Sequence, residues 1–227
     1  MRQIARGIYG IDGLKMGRAY LIEEHHGLTL IDTSSPSALD GILAAITAIG
    51  RRVDELRAIV ATHYHFDHTG NVAALRERSG AAFCAHEADV PYIDGRTPWG
   101  KGGEPGAFTR MMSPDPYALT VDRVLRDGDT IDAAGGLTVV HAPGHTPGNV
   151  ALYARERSVL FGGDAFMNLL GLQLPPGAST HDMDEAKRTV RKLAALPFDL
   201  ALPGHGGPII SRASEKLSEW SRRWFAD

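Results

Sequence analysis

Apolar residues along the chain form short runs separated by polar and glycine-rich segments. Runs of about 4 to 8 apolar residues between turn signals predict buried strands. The predicted strands cover residues 2–10, 18–24, 27–33, 57–62, 81–85, 123–126, 130–132, 136–141, 150–153, 158–161 and 198–202.

Apolar positions that recur at helical spacing predict helices between these strands. The predicted helices cover residues 38–49, 71–79, 183–196 and 211–224. A further helix is predicted to begin at 86–89 and to be cut short by Pro91, because proline interrupts helical hydrogen bonding. The first half of the chain therefore alternates strand and helix.

The regular pattern is lost at residues 92–119, where glycine, proline and scattered aromatic residues dominate. A loop of this length inside a compact domain is usually functional or disordered. Its Trp99, Phe108 and Met112 are too apolar for a solvated linker. We therefore predict a lid inserted over a pocket, with a merely packed insertion as the alternative.

Composition and charge argue against several classes of protein. Lys and Arg total 24 against 27 Asp and Glu, and no basic cluster marks a nucleic-acid binder. There is no run of about 18 apolar residues that would span a membrane, and one cysteine, Cys84, cannot form an internal disulfide. We expect a cytoplasmic protein with a small-molecule substrate and neither nucleic-acid nor membrane partner, and a homodimer stays open.

Four side chains of metal-ligand type lie within residues 62–68, directly after the predicted strand. In a strand, His63 and His65 point to the same side because successive side chains alternate. Asp67 and His68 follow where the strand gives way to a turn, so they can reach a second point nearby. The segment predicts half of a two-metal site.

Three later strand ends each carry one more residue of ligand type beside a glycine, namely His145, Asp164 and His205. Loops at strand ends collect side chains from distant parts of a sequence onto a rigid sheet. Imidazole and carboxylate ligands without thiolate suit zinc, iron or manganese. Three histidines and a shared carboxylate on one metal, with two histidines and two carboxylates on the other, would use all seven residues.

The order of these residues resembles the signature of the metallo-β-lactamase-fold hydrolases. The matching residues are His63-x-His65-x-Asp67-His68, Gly144-His145, Gly163-Asp164 and Gly204-His205. The resemblance implies an α/β fold, a four-layer αβ/βα sandwich of two mixed β-sheets with helices on the outer faces. It extends over nearly the whole chain, so we expect one domain at 1–227 with the lid at about 92–119.

The resemblance also implies a role for each residue. The implied ligands are His63, His65 and His145 on one metal, Asp67, His68 and His205 on the other, and Asp164 on both. Asp32 matches an acidic position that supports the ligands from behind. The implied cofactor is a pair of divalent ions, zinc in the first place, with iron or manganese as alternatives.

Two metals at this position favour hydrolysis. A metal lowers the pKa of bound water from about 15.7 towards about 7, and ions about 3.5–4 Å apart can share the resulting hydroxide. Asp67 and Asp164 are predicted to take part in catalysis by fixing this geometry and receiving a proton. The sequence predicts cleavage of an ester-like bond without a protein nucleophile.

Within the superfamily, the chain resembles glyoxalase II-like thioesterases most, through residues 62–68 and 144–148. A glyoxalase II carries a helical extension that helps to bind glutathione, whereas 22 residues follow His205 here, so glutathione specificity is not expected. Acyl-homoserine lactonases have a tyrosine at the position of Met167, and a lactone substrate stays open. Dedicated β-lactamases mostly replace the bridging aspartate, so Asp164 argues against that main activity.

Two alternatives to a hydrolase stay open. Persulfide dioxygenases resemble the same fold but bind one iron through two histidines and an aspartate, for which His63, His145 and Asp164 would serve. A protein that keeps the fold without turnover is the third class. The full second set of ligands favours the hydrolase over both.

We expect a substrate pocket lined by apolar side chains close to the metal ligands. Its predicted members are Phe66, Trp99, Phe108, Met112, Phe166 and Met167. For Phe166 and Met167, a place in the core is the alternative. His25, His26 and His141 are expected to have no role in the site, and His86 and His181 are left open.

Overall fold

The protein is described by a computed structural model that covers residues 1–98 and 118–225. The strands are β1 (Arg2–Ala5), β2 (Ile8–Gly10), β3 (Tyr20–Glu24), β4 (Gly27–Ile31), β5 (Leu56–Val60), β6 (Ala82–His86), β7 (Arg123–Leu125), β8 (Thr130–Ile131), β9 (Leu137–His141), β10 (Val150–Ala154), β11 (Val159–Gly163), β12 (Met167–Asn168), β13 (Leu172–Gln173) and β14 (Leu200–Pro203). The α-helices are α1 (Leu39–Ala48), α2 (Phe66–Thr69), α3 (Val72–Ser79), α4 (Val90–Ile93), α5 (Met183–Ala194) and α6 (Ala213–Trp224).

Two mixed sheets form the centre of the fold. The first has seven strands in the order β1-β2-β3-β4-β5-β6-β7, and the second has five in the order β14-β11-β10-β9-β8. Strands β1 to β4 pair antiparallel, whereas β4 to β7 pair parallel. In the second sheet only the β11–β14 pair is parallel among the described strands. β12 and β13 form a separate hairpin.

Three layers of apolar side chains hold four layers of backbone together. Helices α1 and α3 pack Ile42 and Leu75 against the outer face of the first sheet. Val60 and Phe161 belong to the layer between the two sheets. Val190 of α5 lies in the third layer, which also contains residues of α6 and the outer face of the second sheet.

Strands in both sheets are apolar on both faces because each sheet is covered on both sides. In β10, Leu152 faces the first sheet, while Ala151 and Tyr153 face the helices. In β5, Ile59 and Val60 likewise point into different layers. This alternation explains the continuous apolar runs of the sequence, and the arrangement confirms the predicted four-layer αβ/βα sandwich.

Three local predictions differ from the structure. Residues 2–10 form a tight hairpin of two strands. The turn after β5 contains the short helix α2, which carries Asp67 and His68. Residues 86–89 do not begin a helix: His86 ends β6, and Pro91 lies in the first turn of α4 instead of ending it. Proline is tolerated there because the first turn of a helix has no internal use for its N–H.

Helix α5 begins where the sequence indicates. Asp182 is its N-cap, and its carboxylate accepts hydrogen bonds from the N–H groups of Asp184 and Glu185, both at 2.9 Å. Within residues 1–98 and 118–225, none of the helices has both the length and the apolar composition needed to cross a membrane.

Candidate metal centre

Strand pairing brings the candidate ligands to one edge of the sandwich. β4 and β5 are parallel neighbours, so Asp32, which follows β4, and segment 62–68, which follows β5, leave the sheet side by side. β11 and β14 are also parallel, which puts Asp164 beside His205. His145 lies in the connection from β9 to β10. All seven predicted ligands are thereby brought together.

The seven side chains fall into three groups, and within each group the ligand atoms lie within 4.8 Å of one another. We call His63, His65 and His145 the histidine half, and Asp67, His68 and His205 the carboxylate half. Asp164 lies between them, in a further group with His63 and His68. The two halves have the same members as the two predicted ligand sets, and Asp164 as a ligand of both metals stays a prediction.

The histidine half is compact. His65 Nδ1 lies 3.1 Å from His63 Nε2 and 2.9 Å from His145 Nε2. These separations are close to the roughly 3.3 Å expected between two nitrogens that each lie about 2.0–2.1 Å from a tetrahedral zinc. All three side chains are buried.

The carboxylate half is joined to Asp164 on one side. His205 Nε2 lies 3.3 Å from Asp67 Oδ2, from Asp164 Oδ2 and from His68 Nε2. Asp164 Oδ2 is also 3.4 Å from His145 Nε2 in the histidine half. The Asp164 carboxylate therefore touches both halves, as the bridging prediction requires.

Hydrogen bonds behind the cluster fix which nitrogen of His63 and of His145 faces it. Thr62 Oγ1 donates to Asp32 Oδ2 at 2.8 Å, so it accepts from His63 Nδ1 at 3.2 Å. Thr180 Oγ1 donates to the Pro176 carbonyl and accepts from His145 Nδ1 at 3.3 Å. The proton on each Nδ1 leaves the Nε2 lone pair directed into the cluster.

Asp32, which was predicted to support the ligands from behind, forms hydrogen bonds with two segments of the cluster. Its carboxylate accepts from the Thr62 N–H at 2.7 Å and from His68 Nδ1 at 2.8 Å. Its backbone has a φ of +57°, a left-handed conformation that is costly for a residue other than glycine. Strain of this kind persists only where surrounding contacts impose it, and here it turns the carboxylate towards His68.

A glycine before His205 makes room for the shared carboxylate. A Cβ atom at Gly204 would lie 2.1 Å from Asp164 Oδ1 and 2.8 Å from His68 Cε1. Any side chain at this position would push the two ligands apart. The Gly-His pair of the motif is thus a packing requirement of the cluster.

Burial keeps the histidine half uncharged. Desolvation, followed by the neighbouring histidines, lowers the pKa of His63 far below its usual value and that of His65 to about 3. Desolvation also lowers the pKa of His145 to about 4, with Asp164 opposing the shift. Neutral imidazoles can offer their lone pairs to a metal without first losing a proton.

The carboxylates have the opposite effect on the other half. Burial alone would lower the pKa of His68, but Asp32, Asp164 and Asp67 outweigh it and raise the pKa to about 9. For His205, hydrogen bonds and attraction to Asp164 and Asp67 outweigh burial and raise the pKa to about 10. Burial opposes ionisation of Asp164, yet the histidines hold its pKa well below the usual range.

The cluster is more open on the side of the carboxylate half. The side chains of His205 and Asp67 are 21% and 12% exposed, whereas those of His145 and Asp164 are only 1% and 2% exposed. A substrate would therefore reach the cluster beside His205 and Asp67.

The donor set fits divalent metal ions. Among the described residues, Asp164 Oδ1 is buried without a hydrogen-bond donor, which is costly for a carboxylate oxygen. The Nε2 atoms of His63 and His145 converge on His65 Nδ1, an arrangement of three imidazole nitrogens that can bind one ion. A cation at each half would satisfy both arrangements, because His and Asp ligands without thiolate are typical of hard or borderline divalent ions.

The predicted pocket residues have different outcomes. Phe166 is wholly buried in the core between the second sheet and the outer helices, so its assignment to the pocket is wrong. It packs against Gly162, where a Cβ would lie 2.6 Å from its ring. Met167 is almost buried at the start of β12, and Phe66 is half-buried in α2. Trp99, Phe108, Met112 and most of the predicted lid lie outside the described residues.

The remaining histidines lie outside the two groups of ligands. His86 stacks on His141 with ring centroids 4.3 Å apart, which is a packing contact. His181 lies next to the cluster, since its N–H donates to the His145 carbonyl and its Nε2 is 2.8 Å from the Tyr64 hydroxyl. Sequence reasoning did not find Thr62 and Thr180, because a threonine that orients a histidine has no motif of its own.

A family model described as the metallo-beta-lactamase superfamily matches residues 12–205. The chain belongs to this superfamily. A Bacillus subtilis protein named "Probable metallo-hydrolase YflN" is 25% identical over 232 residues, which cover 92% of this chain and 88% of that protein. A hydroxyacylglutathione hydrolase of Cereibacter sphaeroides is 31% identical over 163 residues, but these cover 70% of this chain and only 52% of that enzyme.

A solved structure agrees on the fold of this superfamily member. A metallo-beta-lactamase family protein from Thermus thermophilus superimposes with a TM-score of 0.76 and 24% sequence identity. The superposition covers 97% of this chain and 81% of the other. The likeness at this level of identity concerns the fold alone.

Proposed function

We propose that this metallo-β-lactamase superfamily member is a hydrolase with two divalent ions, zinc in the first place, that cleaves a thioester, a lactone or a related ester. The observation that carries the proposal is the Asp164 carboxylate, which lies between two complete groups of ligands. The hydroxyacylglutathione hydrolase named above supports the thioester, since its match includes most of this chain.

The chain's own residues account for much of the site's behaviour. Burial holds His63, His65 and His145 neutral. Thr62 orients His63, and Thr180 orients His145. Bound divalent ions would supply an activated water near neutral pH and polarise the carbonyl of the substrate.

The carboxylate half has a different task. Asp67 and His205 form the more exposed rim, where the bond to be cleaved would enter. Asp67 Oδ2 lies 3.3 Å from His205 Nε2, so both groups face the same opening and would hold the ion on this side. Asp164 lies between the halves, and its charge would offset part of the positive charge of bound ions. The chain thus provides binding and orientation without a covalent step at a protein side chain.

The test is a comparison of metal content and substrate preference. The protein is purified without added metal, its metals are measured, and it is assayed with a glutathione thioester, an acyl-coenzyme A thioester, a lactone and a phosphodiester. We expect two equivalents of divalent metal and hydrolysis of a thioester or lactone that is lost on chelation and restored by zinc. Asp164→Asn should retain the fold but lose turnover.

Other outcomes would contradict the proposal. One equivalent of iron, with oxygen consumed in the presence of a persulfide, would indicate the dioxygenase. Full metal loading without turnover of any ester would indicate a binding protein of the same fold.

A further inference from the structure

Asp89 is a buried carboxylate outside the predicted ligand set. It is 0% exposed and lies directly before α4, where its backbone carbonyl accepts the first helical hydrogen bonds from Tyr92 and Ile93. An aspartate at this N-cap position usually caps its own helix with its side chain. The carboxylate of Asp89 makes no such cap. The Asp89 side chain therefore forms its hydrogen bonds outside its own helix.

The carboxylate binds two segments that carry ligands of the histidine half. Oδ2 accepts from the Tyr64 N–H at 3.0 Å, between His63 and His65. Oδ2 also accepts from Thr146 Oγ1 at 2.9 Å, directly after His145. Oδ1 accepts from the Gly148 N–H at 2.6 Å. Three donors from two distant loops thus meet on one side chain.

Gly148 packs directly against Asp89. A Cβ at Gly148 would lie 2.5 Å from Asp89 N and 2.6 Å from its Cγ. Burial raises the pKa of the Asp89 carboxyl to about 7, and the three donors act against this shift. Within the described ranges no Lys or Arg pairs with Asp89. The cost of burying this carboxylate is offset by its hydrogen bonds to the two loops.

We propose that Asp89 is a positioning residue for the histidine half: it locks segment 63–65 to segment 145–148, so that His63, His65 and His145 converge on one metal ion. Each loop is anchored within one residue of a ligand. Releasing the lock would let His145 move relative to the other two histidines. The inference rests on the proposed metal centre but not on any substrate.

The experiment measures zinc affinity and not turnover. His205→Ala serves as the parent, because it removes a ligand of the carboxylate half and leaves the histidine half complete. Zinc is titrated into the metal-free full-length parent against a chromophoric chelator, with and without Asp89→Asn. Asparagine keeps the shape but cannot accept all three hydrogen bonds. We expect zinc affinity to fall about 10–100-fold, the loss typical when a residue that supports metal ligands is changed.

Asp122→Asn is the matched control. Asp122 lies beside the other end of β6, where its carboxylate accepts from the Phe83 N–H at 2.8 Å and pairs with Arg76. We expect this variant to bind zinc like the parent. Thermal unfolding of each metal-free variant shows whether it is folded at the temperature of the titration. A residue with a merely structural role would lower the melting temperature without lowering the zinc affinity.

A second pair of variants decides the matter if Asp89→Asn does not fold. Thr146→Val removes one donor and keeps the Asp89 carboxylate, and Thr146→Ser keeps the hydroxyl. We expect weaker zinc binding in Thr146→Val and recovery in Thr146→Ser. Zinc affinity unchanged in Thr146→Val, or equal in Asp89→Asn and Asp122→Asn, would overturn the lock. A wild type that binds no zinc would refute the proposed function, and the lock with it.

Discussion

The two halves of the candidate metal centre use the same residue type in opposite ways. The histidine half is dry, and burial lowers the pKa of all three imidazoles. In the carboxylate half, the acids raise the pKa of His68 to about 9 and that of His205 to about 10. An imidazole beside carboxylates therefore holds a proton until a metal displaces it, whereas a buried imidazole among other imidazoles can bind the metal without losing a proton.

Asp164 connects the halves, so its loss should have the largest effect. In Asp164→Asn the shared oxygen keeps its shape but loses its charge, and both ions lose a ligand. We expect esterase activity to fall roughly a thousandfold or more, because hydrolysis depends on both metal positions. Metal analysis and the rate constant kcat check this. Two retained ions with unchanged kcat would show that Asp164 does not join the halves.

Two single substitutions, one in each half, test the two metal positions independently. We expect His65→Ala to empty the histidine half and His205→Ala to empty the carboxylate half, so that each protein retains one ion. Activity should fall about a hundredfold or more in both, since neither ion alone can hold both the attacking and the leaving oxygen. Metal content after gel filtration checks this. If either variant kept two ions, the assignment of ligands to halves would be wrong.

Proton release should distinguish the halves in the intact protein. Below about pH 9, His68 and His205 are protonated in the metal-free protein, so a metal must displace up to two protons. Affinity of the carboxylate half should then fall up to about 100-fold per pH unit as the pH drops. The metal affinity of the histidine half should change little between about pH 6 and about pH 9, because the pKa values of its histidines are lowered.

Calorimetry measures this difference. Zinc is titrated into metal-free protein in two buffers with different enthalpies of ionisation. Zinc binding to the histidine half should give the same heat in both buffers. Zinc binding to the carboxylate half should give heats that differ by the ionisation enthalpy of the buffer that takes up the released protons. Equal proton release in both events would contradict the comparison.

Asp32 contacts the carboxylate half directly and the histidine half only through Thr62, and its change should have the smallest effect. Asp32→Asn weakens the hydrogen bond to His68 Nδ1 and removes an acceptor for Thr62. We expect zinc affinity of the carboxylate half to fall about 10-fold, and the free energy of unfolding of the metal-free protein to fall about 1–3 kcal/mol. Zinc competition and urea unfolding check these values, with Asp122→Asn as the control. A greater loss in the histidine half would contradict the account.

Much of the fold follows from local sequence. Continuous apolar runs such as 150–153 indicate strands buried on both faces, and the described layers agree. The seven ligands stand at strand ends, so their order along the chain predicts that they meet. These features depend on residues that are neighbours in the sequence, where periodicity and motif spacing carry the information.

The contacts that the sequence did not reveal join residues far apart in the chain. Asp89 accepts hydrogen bonds from Tyr64 and Thr146, and no sequence motif predicts these long-range contacts. From the sequence alone, residues 86–89 were predicted to begin a helix, because only the neighbouring residues could be considered. Phe166 is apolar and close to Asp164, so a pocket and a core position looked alike until its neighbours were known.

The most direct test of the two-metal centre is a crystal structure determined with zinc, from data collected at the zinc absorption edge. The crystal is grown at about pH 8, where the carboxylate half binds zinc better than at lower pH. Two anomalous peaks about 3.5–4 Å apart are expected, one at His63, His65 and His145, the other at Asp67, His68 and His205. Asp164 should reach both. A single peak at saturating zinc would contradict the account.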